Sequence, residues 1–524
     1  MKLERKSGIL LHPTSLPCSA GIGTIGKTAR DFIDWLSVSG VSLWQVLPLG
    51  PTGYGDSPYQ SFSAFALNPL LIDFDQLAED NLADAEDVQV PDYIKYGGNV
   101  DFGSVVWWKS AALKKIALKI EKKGGASVKK QIASFCEENA FWLDDYASFM
   151  SIKSHYDEKG MWNEAWPEKL RLHDKTAVDE WNAKHKEEIK TYKIIQFIAF
   201  MQWQELHEYA LSKNVKIIGD IPIFVSPDSA DVWANRKYFQ LDKKGKPLCV
   251  AGVPPDYFSP TGQLWGNPLY DWKTLKEEGF SWWIDRIRSL LKLVDCVRID
   301  HFRGFDSYWS VKYGSENAVN GKWLKGPGIA LFNQIKKELG DLPLIAEDLG
   351  EITDSVRLLR EKTGLPGMKI IQFGFDTAEA SRGALKNAFL PHNYSDVNCV
   401  SYTGTHDNDT TQGSLNAMNE ESLCLAASYV KGRRVDPGEA YSLRSSGELC
   451  RSLVASCLSS VASYAVIPMQ DIFGFGSDCR MNTPGSDTAN WAWRMREDML
   501  YGELAREKSD WLSTMNMLYS RRGE

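Results

Sequence analysis

Eight short apolar segments, spaced by helical stretches or long excursions, constrain this chain more than any other feature. They lie at residues 8–11, 42–48, 215–222, 296–300, 342–347, 368–373, 397–402 and 464–468. Runs of this length and β-favouring content read as strands buried on both faces. Between the first two, Ala29, Phe32, Ile33, Trp35 and Leu36 recur at helical spacing, and Gly40 follows as a stop. Strand, helix, strand with short connections is a βαβ unit, so the strands should run parallel. Further helical stretches are expected at 192–214, 329–339, 353–362 and 420–430. Eight parallel strands predict a (β/α)8 TIM barrel, an α/β fold. The alternative is a doubly wound open sheet. That fold usually carries a Gly-rich phosphate loop after its first strand, whereas here the strand ends in His12-Pro13-Thr14.

The rhythm breaks twice. Residues 50–190 lie between the second and third strands and carry charged helical segments, a length that predicts a mainly helical insertion. Its tryptophans, Trp107, Trp108, Trp142, Trp162 and Trp166, are expected in that insertion's core. Residues 224–279, rich in Pro, Gly, Asp, Trp and Tyr, predict a loop-rich insertion over the active face. The whole of residues 1–524 is then a single barrel unit with large insertions after strands 2 and 3.

Sixty basic and 68 acidic side chains give a net charge of −8, which argues against a nucleic acid as the main partner. The nine cysteines form no C-x-x-C pair and are odd in number, pointing to reduced thiols in a cytoplasmic protein with no zinc site. The N-terminus is charged and lacks an apolar signal core, and no apolar run reaches about 18 residues, so no membrane partner is expected. His155, His173, His185 and His207 lie in polar helical stretches and read as surface residues; His12 is placed at the floor of a pocket.

The polar residues collect at the strand ends. Arg298 and Asp300 stand two apart on the fourth strand and so share a face. By itself that pair could be structural or catalytic. Asp220 ends the third strand, Glu347 the fifth, and His406-Asp407 follow the seventh. In a barrel these ends converge on the face that carries the chemistry. Asp348 and Asp409, further into their loops, fit turn or cap roles. Converging carboxylates raise one another's pKa, so one can hold a proton while another stays ionised, which is what cleaving a glycosidic bond requires. A Mg²⁺ or Mn²⁺ site is the rival for such a cluster. Arg298 already supplies a cation there, so no metal is expected.

Three motifs carry a resemblance: Val297-Arg298-Ile299-Asp300-His301-Phe302-Arg303-Gly304, Ile345-Ala346-Glu347-Asp348-Leu349-Gly350 and Gly404-Thr405-His406-Asp407-Asn408-Asp409-Thr410. With the opening Gly8-Ile9-Leu10-Leu11-His12-Pro13-Thr14 and with Gln263-Leu264-Trp265-Gly266-Asn267, they make nearly the whole chain resemble the 4-α-glucanotransferases, the amylomaltases or disproportionating enzymes related to the α-amylases. The resemblance implies retaining transfer of α-1,4-glucan segments from a donor maltodextrin to the 4-hydroxyl of another glucan or of glucose. It implies Asp300 as nucleophile, Glu347 as general acid/base and Asp407 as transition-state stabiliser. It assigns substrate contacts to Tyr59, Asp220, Gln263, Trp265, Arg298, Phe373 and His406. No cofactor is implied. Partners would be maltodextrins and other starch- or glycogen-derived α-glucans, with the chain a monomer or homodimer. In the α-amylases an Asn-His pair that serves calcium follows the third-strand Asp. Here Asp220 is followed by Ile221-Pro222, so no calcium of that kind is expected.

Overall fold

The computed structural model of the 524-residue chain describes residues 3–53, 55–94, 97–156, 159–255, 259–375, 386–486 and 489–522. Part of the second expected insertion, Asp256 to Phe258, lies outside them. All eight expected strands form: β1 (Lys6–Leu10), β2 (Leu43–Gln45), β3 (Lys216–Ile221), β4 (Cys296–Ile299), β5 (Leu344–Ala346), β6 (Gly367–Ile370), β7 (Cys399–Tyr402) and β8 (Tyr464–Pro468). They pair in parallel in the order β6-β7-β8-β1-β2-β3-β4-β5. Between the two end strands, the Ala346 amide donates to the Pro366 carbonyl at 2.9 Å, so the sheet curls into a nearly closed (β/α)8 barrel. Almost every strand residue is buried, because helices cover the outside and side chains fill the inside.

The helix between β1 and β2 spans Lys27–Val38 and buries Ala29, Phe32, Ile33, Trp35 and Leu36 against the barrel, as its spacing predicts. Gly40 follows at φ +68°, a left-handed conformation that suits glycine. The long helix before β3 runs Lys186–Ser212, six residues earlier than its apolar pattern suggests. Its first turns are mostly polar and complete the helical layer of the insertion. Helices Phe102–Lys123, Ala126–Glu138, Ala140–Tyr156 and Lys175–Lys184 make up much of that layer. Trp108, Trp142, Trp162 and Trp166 are buried there, whereas Trp107 is 71% exposed.

A second sheet was not legible from the sequence. Gln263–Pro268, Cys249–Val253, Ser307–Lys312 and Lys322–Lys325 form, in that order, four antiparallel strands. Two come from the excursion after β3 and two follow β4. Gly252, Gly262, Gly266 and Pro268 interrupt the apolar alternation by which such strands are usually found. Among the described residues no helix is long and apolar enough to cross a membrane. All nine cysteines are free thiols.

Candidate active site

Parallel register places Asp220 on β3 directly beside Arg298 on β4. Both are buried, so each needs the other. Arg298 Nη1 donates to Asp220 Oδ1 and Oδ2 at 2.9 and 2.7 Å, while Nη2 lies 3.0 Å from Asp300 Oδ1. The expected Arg298–Asp300 pair is therefore present, and Asp220 joins it as a third member. Burial alone would lower the Arg298 pKa, but Asp220 and Asp300 outweigh it and hold the guanidinium as a permanent cation. Tyr59 closes the group, its hydroxyl donating to Asp220 Oδ2 at 2.7 Å. Burial, with Asp220 adding to it, keeps that phenol protonated.

After Asp300 the chain turns sharply. His301 adopts φ 52°, in the left-handed region. The turn aims its backbone amide at Glu347 Oε2, at 2.7 Å, and the Leu349 amide donates to Oε1 at 2.9 Å. Glu347 thus has a backbone donor on each oxygen, which fixes its orientation at the end of β5. Burial, with the Asp300 charge adding, raises the Glu347 pKa to about 8 despite Arg298 and both amides. Burial also raises Asp300, to about 6; there Arg298 opposes the rise, while Asp220 and Asp407 add to it. Neighbouring carboxyl groups on adjacent strands are thus driven apart in proton affinity.

Asp407 differs. Burial would raise its pKa, but His406 and Asn482 together take it well below the usual carboxylate range. His406 Nε2 lies 3.2 Å from Asp407 Oδ2, and Asn482 Nδ2 donates to Oδ1 at 2.6 Å. Arg480 donates to the Asp407 carbonyl at 2.7 Å. The loop bearing His406 and Asp407 is tied at both ends to Asp471, which follows β8. Its Oδ2 accepts from the Thr403 and Thr411 hydroxyls at 2.5 and 2.7 Å, and its Oδ1 from the Thr411 amide at 2.7 Å. The His406 ring stacks on Tyr59, with centroids 5.1 Å apart and planes at 16°, and Trp491 leans on both. Through Tyr59 the ends of β3, β4 and β7 become one connected surface.

The hairpin Cys249–Val253/Gln263–Pro268 reaches this surface through Trp265. Its ring meets His301 edge to face at 4.8 Å, and its Nε1 donates to Gln263 Oε1 at 3.1 Å. Phe373 stands in the turn after β6, edge to face with Phe389 at 5.4 Å. It shares the barrel end with the other expected residues. His12 is buried after β1 and lines a cavity with His406 and Arg480. Burial, helped by His406, lowers its pKa to about 3, so its imidazole is neutral. Asp348 and Asp409 have structural partners. Asp348 accepts from the Met368 amide at 2.7 Å and pairs with Arg360 at 3.1 Å; Asp409 accepts from Ser477 at 2.7 Å.

Asn482, Arg480, Trp491 and Asp471 were missed by sequence reasoning. All follow β8, where no charged motif stands out. One signal was available: a barrel's eighth loop belongs to the same face as the other seven, and residues 477–493 form a polar, Trp-containing stretch without helical period.

Residues 11–500 match the family model of glycoside hydrolase 77, described as 4-alpha-glucanotransferase. The chain is 46% identical over 517 residues to a 4-alpha-glucanotransferase of Thermus thermophilus, covering 98% of this chain and 99% of the relative. It is 45% identical over 526 residues to one from Synechocystis, covering 99% and 98%. The amylomaltase of Streptococcus agalactiae, solved in complex with acarbose, superposes with a TM-score of 0.91 at 38% identity, over 99% of this chain and 100% of that one. With the family model spanning most of its length and the same barrel in a solved relative, the chain belongs to the glycoside hydrolase 77 family of 4-alpha-glucanotransferases.

Proposed function

We propose that the carboxyl groups of this 4-alpha-glucanotransferase divide the reaction according to their proton affinities. The observation that carries this is the pairing of Asp300, held by the Arg298 cation at 3.0 Å, with Glu347, whose pKa is raised to about 8. Between about pH 6 and 8, Asp300 is an anion and Glu347 an acid. Asp300 attacks the anomeric carbon of an α-1,4-glucan while Glu347 gives its proton to the departing 4-oxygen. The shorter glucan leaves with that proton, and the donor segment stays esterified to Asp300. The 4-hydroxyl of an acceptor glucan then enters. Glu347, now a carboxylate, takes its proton as the new glycosidic bond forms and the ester breaks. Two inversions retain the α-configuration.

Asp407 stays ionised throughout and supports positive charge developing on the sugar ring, with Asn482 and His406 holding it in place. Tyr59 and His406 offer a stacked aromatic wall, and Asp220 keeps Arg298 aimed at Asp300. Trp265 and Gln263, on the hairpin against His301, are the acceptor-side residues that favour a sugar over water. Phe373 contributes a further aromatic contact at the β6 end. Substrates are maltodextrins and glucans derived from starch or glycogen. The nine free thiols accord with a cytoplasmic setting.

The covalent step is tested by trapping. Glu347→Gln, given a maltooligosyl fluoride whose departure needs no acid, is expected to accumulate a glucan ester on the peptide containing Asp300, read by mass spectrometry. An ester on a different carboxylate, or turnover by Asp300→Asn at the normal rate, would overturn the assignment.

A further inference from the structure

Three donor side chains meet in the helical insertion, outside the barrel loops. His155 lies in the last turn of Ala140–Tyr156, His185 at the junction of Lys175–Lys184 with Lys186–Ser212, and Glu188 in the first turn beyond. One donor atom from each lies within 4.8 Å of the others. Glu188 Oε2 is 3.6 Å from His185 Nδ1 and 3.8 Å from His155 Nδ1. Both separations are too long for hydrogen bonds. They approach the spacing of about 3.4 Å between two donors that share a tetrahedral ion at ordinary zinc bond lengths.

The surroundings hold these groups in place. Glu188 accepts from Ser154 on Oε1 at 2.8 Å and from Ser151 on Oε2 at 3.1 Å. Trp181 stacks on the His185 ring at 4.0 Å and meets His155 edge to face at 5.1 Å. His155 Nδ1 lies 2.9 Å from the Ser151 carbonyl, a hydrogen bond that ligation by this nitrogen exchanges for the ion. His185 Nε2 is buried without a hydrogen-bond partner, an unusual position for an imidazole nitrogen. The two serines orient the carboxylate, as outer partners do in built metal sites, and the Trp181 ring packs against both imidazoles.

We propose that His155, His185 and Glu188 form a three-ligand site for a divalent transition metal of the zinc class, with water completing the coordination. Two imidazoles and a carboxylate are a donor set suited to such ions. The bound ion would staple the end of one insertion helix to the junction of two others. It stabilises the insertion and takes no part in glucan transfer.

The test uses the full chain, stripped with a chelator and titrated with Zn²⁺ and, separately, Co²⁺. One saturable equivalent is expected, with a rise in melting temperature. The Co²⁺ complex should show visible bands of nitrogen and oxygen ligation without a thiolate charge-transfer band. Glu188→Gln, nearly isosteric, and His185→Gln should each lose the saturable equivalent while the rate of glucan transfer stays the same. Should His185→Gln fail to fold, Glu188→Gln decides. The proposal is overturned if no equivalent saturates, or if it persists in Glu188→Gln or in the double variant His155→Ala/His185→Gln, which would place the ion on other donors such as the cysteines.

Discussion

At the scale of single residues, Glu347 carries a conflict between stability and chemistry. An unfolded glutamate titrates near 4.3, and in the folded chain burial moves Glu347 to about 8. Between these values the folded protein retains a proton that the unfolded chain has released. Stability from this group is therefore fully present below about pH 4 and is lost progressively as pH rises towards 8. Glu347→Gln cannot ionise and escapes that loss. Its melting temperature relative to the parent is expected to climb from pH 5 to pH 8 and then level off, while activity falls by about 10²–10⁴-fold. A pH-independent difference would contradict the placement of the proton. The parent's pH–rate profile should be bell-shaped, with limbs near 6 and 8 set by the Asp300–Glu347 pair acting together.

At the scale of elements, the turn before Gln263 sets the position of the hairpin we propose for the acceptor side. Gly262 has φ +65°, and a Cβ there would stand 2.3 Å from the Val253 carbonyl oxygen and 2.8 Å from the Pro254 carbonyl carbon. Both are backbone atoms that cannot swing aside, and a non-glycine residue in the left-handed region costs a further 1 kcal/mol or so. Gly262→Ala should displace the hairpin carrying Gln263 and Trp265, raising the ratio of hydrolysis to transfer in a product assay; an unchanged ratio would show that the hairpin does not select the acceptor. This sheet also marks where the sequence was least legible. The barrel strands are buried on both faces, so they print contiguous apolar runs, and each strand in the structure overlaps its expected segment. The hairpin strands are short and broken by Gly252 and Gly266, and one of them, Cys249–Val253, pairs with Ser307–Lys312 at separations of 57 to 63 residues. The acids at the strand ends were legible because charge interrupting a buried strand is conspicuous. Among their orienting partners Arg298 was legible, two residues before Asp300, whereas Asn482 meets Asp407 across 75 residues and the Asp220–Arg298 bond depends on register between two strands.

At the scale of the whole molecule, the two ends of the barrel do different work. The chain's C-terminal tail closes the end opposite the site. Arg521, fully buried, donates to the carbonyls of Leu458 at 2.5 Å, Ser460 at 3.0 Å, Ala462 at 2.8 Å, Ser463 at 3.0 Å and Lys6 at 2.9 Å. These carbonyls run from the end of the helix Glu448–Ser459 into the start of β8 and include the start of β1, at the end where barrels invest in stability rather than chemistry. Arg521→Met removes these five bonds, a loss on the order of 3 kcal/mol, while Arg5 still reaches Leu458, Ser460 and Ala462 and the Lys6 amide still reaches Ser463. The urea midpoint should fall while turnover per folded molecule holds, and an unmoved midpoint would contradict the role. The opposite end is where donor cleavage and acceptor capture are joined, and the central claim is that an acceptor sugar, not water, resolves the ester on Asp300. The most direct measurement is the product profile from maltotriose alone. Glucose together with maltopentaose and longer maltodextrins, at a constant total of reducing ends, is the expected result. A steady rise in reducing ends without chains longer than maltotriose would contradict it.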